Sequence, residues 1–96
     1  MTYADSIERA AFISGLHALA DYLTSNLAVP APIFSHVFVF PSDRNWAVMC
    51  AEIDAIAARL GVTTQVTYSG HYLATRSFGP VEYRAVAIPR HDNESE

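Results

Sequence analysis

Three β-rich runs, residues 62–68, 71–78 and 81–88, follow one another with only Ser69-Gly70 and Gly79-Pro80 between them. Breaks that short cannot hold a crossover, so they permit only antiparallel hairpins. The glycine in each supplies the positive φ that tight hairpin loops need. The last third of the chain therefore reads as an antiparallel meander, ended by Pro89. If both loops have two residues, Phe78 pairs with Val81, Arg76 with Tyr83, Ala74 with Ala85 and Tyr72 with Ala87. In the other hairpin, Tyr68 pairs with His71 and Val66 with Leu73. One face then carries Val62, Val66, Tyr68, Leu73, Val86 and Ile88, an aliphatic set suited to lie under helices. The other carries Thr63, Gln65, Thr67, Tyr72, Ala74, Arg76, Phe78, Val81, Tyr83, Ala85 and Ala87, rich in tyrosine and small residues. That second face is expected to be left uncovered and to meet a partner, because tyrosine and arginine are enriched at binding hot spots. A bulge in either hairpin would change the register and leave a mixed surface instead.

The first sixty residues supply the helices. Asp5 with Glu8 three residues later has capping-box spacing, so a helix starts near residue 5. Phe12, Leu16, Leu19, Leu23 and Leu27 form its apolar stripe, and Gly15 inside it marks a close packing contact. Val29-Pro30-Ala31-Pro32 forces an extended connection. Residues 33–40 read as a strand with two apolar faces, which predicts cover on both sides. A turn at 41–43 caps a second helix, in which Trp46, Met49, Cys50, Ile53, Ile56, Ala57 and Leu60 recur at steps of three and four. Gly61 stands where a helix ends in the left-handed conformation.

The expected fold is α+β, a two-layer sandwich of order α-β-α-β-β-β with both helices on one sheet face. The β-α-β unit over residues 33–68 should cross right-handedly. Residues 1–90 are read as a single domain and 91–96 as an acidic flexible tail. Charge agrees with that division. The chain of 96 residues carries a formal charge of −4, and Asp92, Glu94 and Glu96 lie in the tail. Its six basic residues are all arginine, and only 17% of residues are charged while 51% are apolar. Such a chain is too apolar for intrinsic disorder and too poor in cations for a protein that grips duplex DNA by its phosphates. Residues 1–8 lack the basic and apolar regions of a signal peptide, no run is long enough to span a bilayer, and Cys50 has no second cysteine to pair with. The expectation is a cytoplasmic protein without membrane contact.

Chemistry-bearing patterns are sparse. His17, His36, His71 and His91 form no metal-ligand spacing, so neither a metal nor a cofactor is expected. His36, among phenylalanines, reads as a satisfied core histidine. Cys50 falls on the apolar stripe of its helix, where burial raises a thiol pKa and blunts its reactivity. No nucleophile elbow and no phosphate-cradling loop occurs. His71, Glu82 and Arg84 on the last hairpin mark an alternative pocket, for a small ligand or a minor enzymatic activity. The plainer account of these side chains is cross-strand pairing that fixes register. Tyr72, Phe78 and Tyr83 could stack nucleic-acid bases, but that face offers Arg76 alone as a cation, which argues against nucleic acid.

Several segments have a familiar form: 12–23 (Phe-Ile-Ser-Gly-Leu-His-Ala-Leu-Ala-Asp-Tyr-Leu), Val29-Pro30, Val39-Phe40-Pro41, Gly70-His71-Tyr72, and above all 78–89 (Phe-Gly-Pro-Val-Glu-Tyr-Arg-Ala-Val-Ala-Ile-Pro). Together they resemble a group of small proteins from actinobacteria, their phages and their integrating mobile elements. The resemblance covers residues 12–89. That group has no established activity, so it implies context alone: a bacterial cytosol and a phage or mobile-element accessory gene. The resulting expectation is a non-enzymatic protein-interaction module that binds itself, as a homodimer, or a host protein. Its expected interaction face is Tyr72, Arg76, Phe78, Val81 and Tyr83.

Overall fold

A computed structural model describes residues 3–89. The first two residues and the tail expected at 91–96 lie outside the described residues. The chain divides into two compact units, residues 3–33 and residues 34 onward, and each is described by itself. The element order is the expected α-β-α-β-β-β, with two helices and a four-stranded mixed sheet.

The first unit is helix α1 (Ser6–Ser25) with the proline-bearing connection behind it. The capping box forms as the sequence indicates: Glu8 N–H donates to Asp5 Oδ1 at 2.8 Å, and Asp5 N–H donates to Glu8 Oε1 at 3.0 Å. At the other end, Asn26 Nδ2 donates to the Tyr22 carbonyl at 2.8 Å, satisfying one of the open groups of the last turn. The helix stops at Ser25, before Leu27. No residue of α1 is buried, and Phe12, Leu16 and Leu19 stay exposed. Beyond its chain neighbours and the helix's own backbone, a Cβ at Gly15 would meet nothing within 4 Å.

The second unit holds strand β1 (Ser35–Val39), helix α2 (Trp46–Leu60), and strands β2 (Gln65–Val66), β3 (Tyr72–Phe78) and β4 (Val81–Ala87), in the sheet order β1-β4-β3-β2. β1 runs parallel to β4, while β4 to β3 and β3 to β2 are antiparallel. Helix α2 is capped by Asn45, whose side chain accepts from Val48 N–H at 3.1 Å, two residues later than the Asp43 cap the sequence suggested. Asp43 takes a different role and accepts from Asn45 N–H at 2.7 Å. Gly61 ends the helix with φ 74°, its N–H aimed at the Ala57 and Ala58 carbonyls.

The two hairpins differ, and the difference reorders a strand. Gly79, φ 62°, and Pro80 form the two-residue loop, and the β3–β4 register is the expected one, from Tyr72↔Ala87 through Phe78↔Val81. A positive φ at the first loop position followed by proline matches a type II′ turn. The other loop has three residues. Thr67 N–H donates to the His71 carbonyl at 2.9 Å and Gly70 N–H to the Thr67 carbonyl at 2.9 Å, with Gly70 at φ 87°. The extra left-handed residue is the glycine bulge that closes three-residue hairpins. It shifts the pairing by one, to Gln65↔Leu73 and Val66↔Tyr72, and so turns every β2 side chain to the opposite face. β2 shrinks to two residues, and Tyr68 stands fully exposed at the loop tip.

The core is the layer between α2 and the sheet: Met49, Ile53 and Ala57 from the helix against Ala74, Ala85 and Ala87, with Val39, Tyr72 and Tyr83 packed around them. Here the sequence expectation is inverted. The tyrosine-and-alanine face, expected to be open, is the one the helix covers. Leu73 and Val86, paired side by side, are buried on the face away from α2. Among the described residues, no helix is long and apolar enough to cross a membrane.

Ile53 is 0% exposed at the centre of this layer. Ile53→Ala is expected to cost about 2–5 kcal/mol in urea unfolding, as a void is left beneath the helix. Gly70→Ala is expected to cost only about 1–2 kcal/mol, because a Cβ there meets nothing closer than Pro89 Cγ at 3.8 Å and the penalty is the left-handed backbone alone. Equal losses for the two variants would contradict this picture of the core and the bulge.

Candidate interaction surface

β1 is short and strongly β-prone, and its parallel register on β4 sets what each of its side chains meets. His36 stands opposite Glu82 and Phe38 opposite Arg84. Because side chains alternate along a strand, Phe34, His36, Phe38 and Phe40 all point away from α2. They form a continuous ladder of rings. Phe34 and His36 meet edge to face with centroids 5.7 Å apart, His36 and Phe38 stack at 5.6 Å, and Phe38 and Phe40 stack at 5.8 Å. Offset stacks and edge contacts at these distances suit the ring quadrupoles. The ladder stays open: Phe34 is 62% exposed, Phe38 49% and Phe40 46%.

A polar cluster runs beside the ladder on the same face. Glu82 gathers three donors. His36 Nε2 lies 3.0 Å from Oε1, Arg84 Nη2 lies 3.4 Å from the same oxygen, and Ser77 Oγ donates to Oε2 at 3.2 Å. Arg84 Nε donates to Thr75 Oγ1 at 3.1 Å. Ser77 faces Glu82 and Thr75 faces Arg84 across the β3–β4 ladder, so these contacts also hold the hairpin register. The cluster places a carboxylate between a hydroxyl and an imidazole. A hydrolytic triad needs the imidazole between the other two, so this order does not activate Ser77. Among the described residues, no group of three or more His, Cys, Asp or Glu side chains is placed to hold a metal ion.

The residues singled out from the sequence are distributed differently from the expectation. Of Tyr72, Arg76, Phe78, Val81 and Tyr83, the two tyrosines pack against the core beneath α2, while Phe78 and Val81 are exposed at the hairpin end. Arg76 Nη1 donates to the Leu60 carbonyl at 3.2 Å and its guanidinium lies 5.2 Å from the Phe78 ring centroid, so it clasps the C-terminal end of α2 to the sheet. The face was misassigned because its alanines leave room for a helix, a feature read as surface smallness. Of the alternative pocket, Glu82 and Arg84 do meet, but His71 sits at the other end of β3, where its N–H donates to Thr67 Oγ1 at 3.0 Å. His36, read as a core histidine, takes the place beside Glu82. Only the parallel β1–β4 register brings these two together, and no spacing in the sequence signals it.

Under the helix, the Tyr72 hydroxyl hydrogen-bonds the Asp54 carboxylate and lies 2.9 Å from Thr64 Oγ1. The bond to Asp54 raises the Tyr72 pKa above the ordinary 10.0; desolvation and the charges of Asp54 and Cys50 push the same way, and Thr64 opposes them. Burial, then the Asp54 carboxylate, raises the Cys50 thiol above its ordinary 9.0, away from the range of a reactive thiolate. Since folding raises the Tyr72 pKa, the folded state holds that proton more tightly than the unfolded chain. The stabilisation is complete below pH 10 and is lost as pH rises through the raised value. The urea midpoint of the wild type should therefore fall above pH 10 more steeply than that of Tyr72→Phe, and parallel pH profiles would refute the coupling.

With the ring ladder and its polar cluster defined, comparison with protein-family models, with curated proteins and with solved structures finds no match to this chain.

Proposed function

We propose that the chain is a non-enzymatic protein-interaction module that works through the sheet face away from α2. The observation that carries this reading is the exposed ladder of Phe34, His36, Phe38 and Phe40 beside a carboxylate that three neighbours already engage. Large exposed aromatic patches on small domains mark places where something else binds. The polar cluster gives such a surface orientation without supplying a free nucleophile or base. The contact set centres on Phe34, His36 and Phe38, with Glu82 and Arg84 from β4, in place of the Tyr72–Tyr83 face. The apolar stripe of α1, exposed at Phe12, Leu16 and Leu19, is a second surface of the same kind. The resemblance to proteins of actinobacterial phages and mobile elements suggests a cytoplasmic accessory protein that binds itself or a host protein.

Two other readings have less support. The rings suit base stacking, but Arg84 on this face is held by Glu82 and Thr75, and the chain has no lysine. A small-ligand site would need a recess around Glu82, whose oxygens are already taken by three neighbours.

Phe38→Asp places a charge in the middle of the ladder, and Tyr68→Asp places one on an exposed loop remote from it. Affinity capture from an actinobacterial lysate should lose its specific partners, or self-association should be lost, with Phe38→Asp and not with Tyr68→Asp. A thermal-shift screen of metabolites and nucleotides should show no stabilisation. Equal effects of the two variants, or a metabolite that stabilises the wild type and not Phe38→Asp, would overturn the proposal.

A further inference from the structure

β1 is an edge strand whose outer backbone is ready for pairing. The Ser35 N–H donates to the Pro80 carbonyl at 3.0 Å, which sets the phase of the parallel ladder. Ser35, Val37 and Val39 direct their backbone groups at β4, and the N–H and C=O groups of His36 and Phe38 point outward. Among the described residues, no backbone hydrogen bond reaches that outer edge. Edge strands are normally protected by charged side chains, proline or a bulge. Residues 33–40 contain no Asp, Glu, Lys, Arg or Pro, and β1 pairs with β4 without interruption. Pro32 and Pro41 bound this segment on either side and confine any pairing to it.

We infer that β1 is a homodimerisation edge, at which two copies of the chain pair antiparallel about a two-fold axis at Val37 and join their four-stranded sheets into one. The commitment to a second copy rests on the strand's complementarity to itself. Read antiparallel about Val37, the sequence sets Phe34 of one copy opposite Phe40 of the other and His36 opposite Phe38. His36 and Phe38, the residues with outward backbone groups, exchange both of their hydrogen bonds in this register. Every ring from both copies then lies on the same face, so the ladder continues unbroken across the junction. Centring the axis on His36 would set imidazole against imidazole, and centring it on Phe38 would shorten the ring overlap. Charge presents no obstacle, because each His36 already faces its own Glu82 at 3.0 Å. A two-fold contact of this kind is closed and stops at two copies.

This inference rests on the reading of the ring-bearing sheet as an interaction surface, and it adds the occupant. Sedimentation equilibrium of the full chain at micromolar concentration should give about twice the 10.5 kDa chain mass. Phe38→Lys, an edge-protecting charge, should give one chain mass with unchanged far-ultraviolet circular dichroism. Val37→Cys in a Cys50→Ser background should form a disulfide-linked dimer under mild oxidation, because residues at the axis face each other at bridging distance. Ser35→Cys, which the register sets opposite Val39, should crosslink at least tenfold less. A strict monomer overturns the inference. If host-protein capture still depends on Phe38, the interaction reading stands and a foreign strand is the occupant. A dimer that survives Phe38→Lys and does not crosslink through Val37→Cys also overturns it, by placing the contact elsewhere. Should Phe38→Lys fail to fold, the contrast between Val37→Cys and Ser35→Cys decides the matter alone.

Discussion

Ala74, Ala85 and Ala87 form a floor with almost no side-chain height, and the arrangement of the 34–89 unit follows from α2 settling into it. Met49, Ile53 and Ala57 descend into that floor, and the taller Tyr72 and Tyr83 close around them. Interdigitation of tall and short side chains is how a helix and a sheet reach interior packing density without a void. Once the alanines have taken the helix, the other face must carry whatever remains. Arg76 and Tyr72 then act as ties between the layers, one to the last turn of the helix at Leu60, the other to Asp54.

Much of the architecture was legible in the chain. The two-residue loop at Gly79-Pro80, the capping box at Asp5 and the left-handed stop at Gly61 are local chemistry, and each appears as expected. The β3–β4 register follows from one two-residue loop and is correct throughout. The failures share a cause: they depend on relations that short spacing does not encode. Gly70 adds a single residue to the other loop, and that residue is enough to reverse β2. Which face of the meander attracts α2 depends on volume matching across the layer, and hydrophobicity alone favoured the wrong one. The meeting of His36 with Glu82 requires the parallel pairing of two strands far apart in sequence.

The candidate surface is therefore one that tertiary structure assembles. No motif marks it, and its members come from two strands separated by a helix and a hairpin. It combines exposed rings with a carboxylate whose hydrogen-bonding capacity is largely met within the face. Such a surface favours recognition by shape and ring contact over chemistry.

The strand that holds β1 in the sheet is β4, which follows it only after α2 and the β2–β3 hairpin. β1 precedes β4 in the sequence, with its phenylalanines, and among the described strands it has no pairing partner until the β3–β4 hairpin has been made. Non-local parallel pairing of this kind closes late and slowly, because a long loop must be ordered before any contact compensates for it. An unprotected aromatic strand thus waits until β4 is in place, and the interval is set by the stretch of sequence between the two strands. Folding yield in this protein should accordingly be limited by how long β1 stays unpaired before the β3–β4 hairpin offers it an edge.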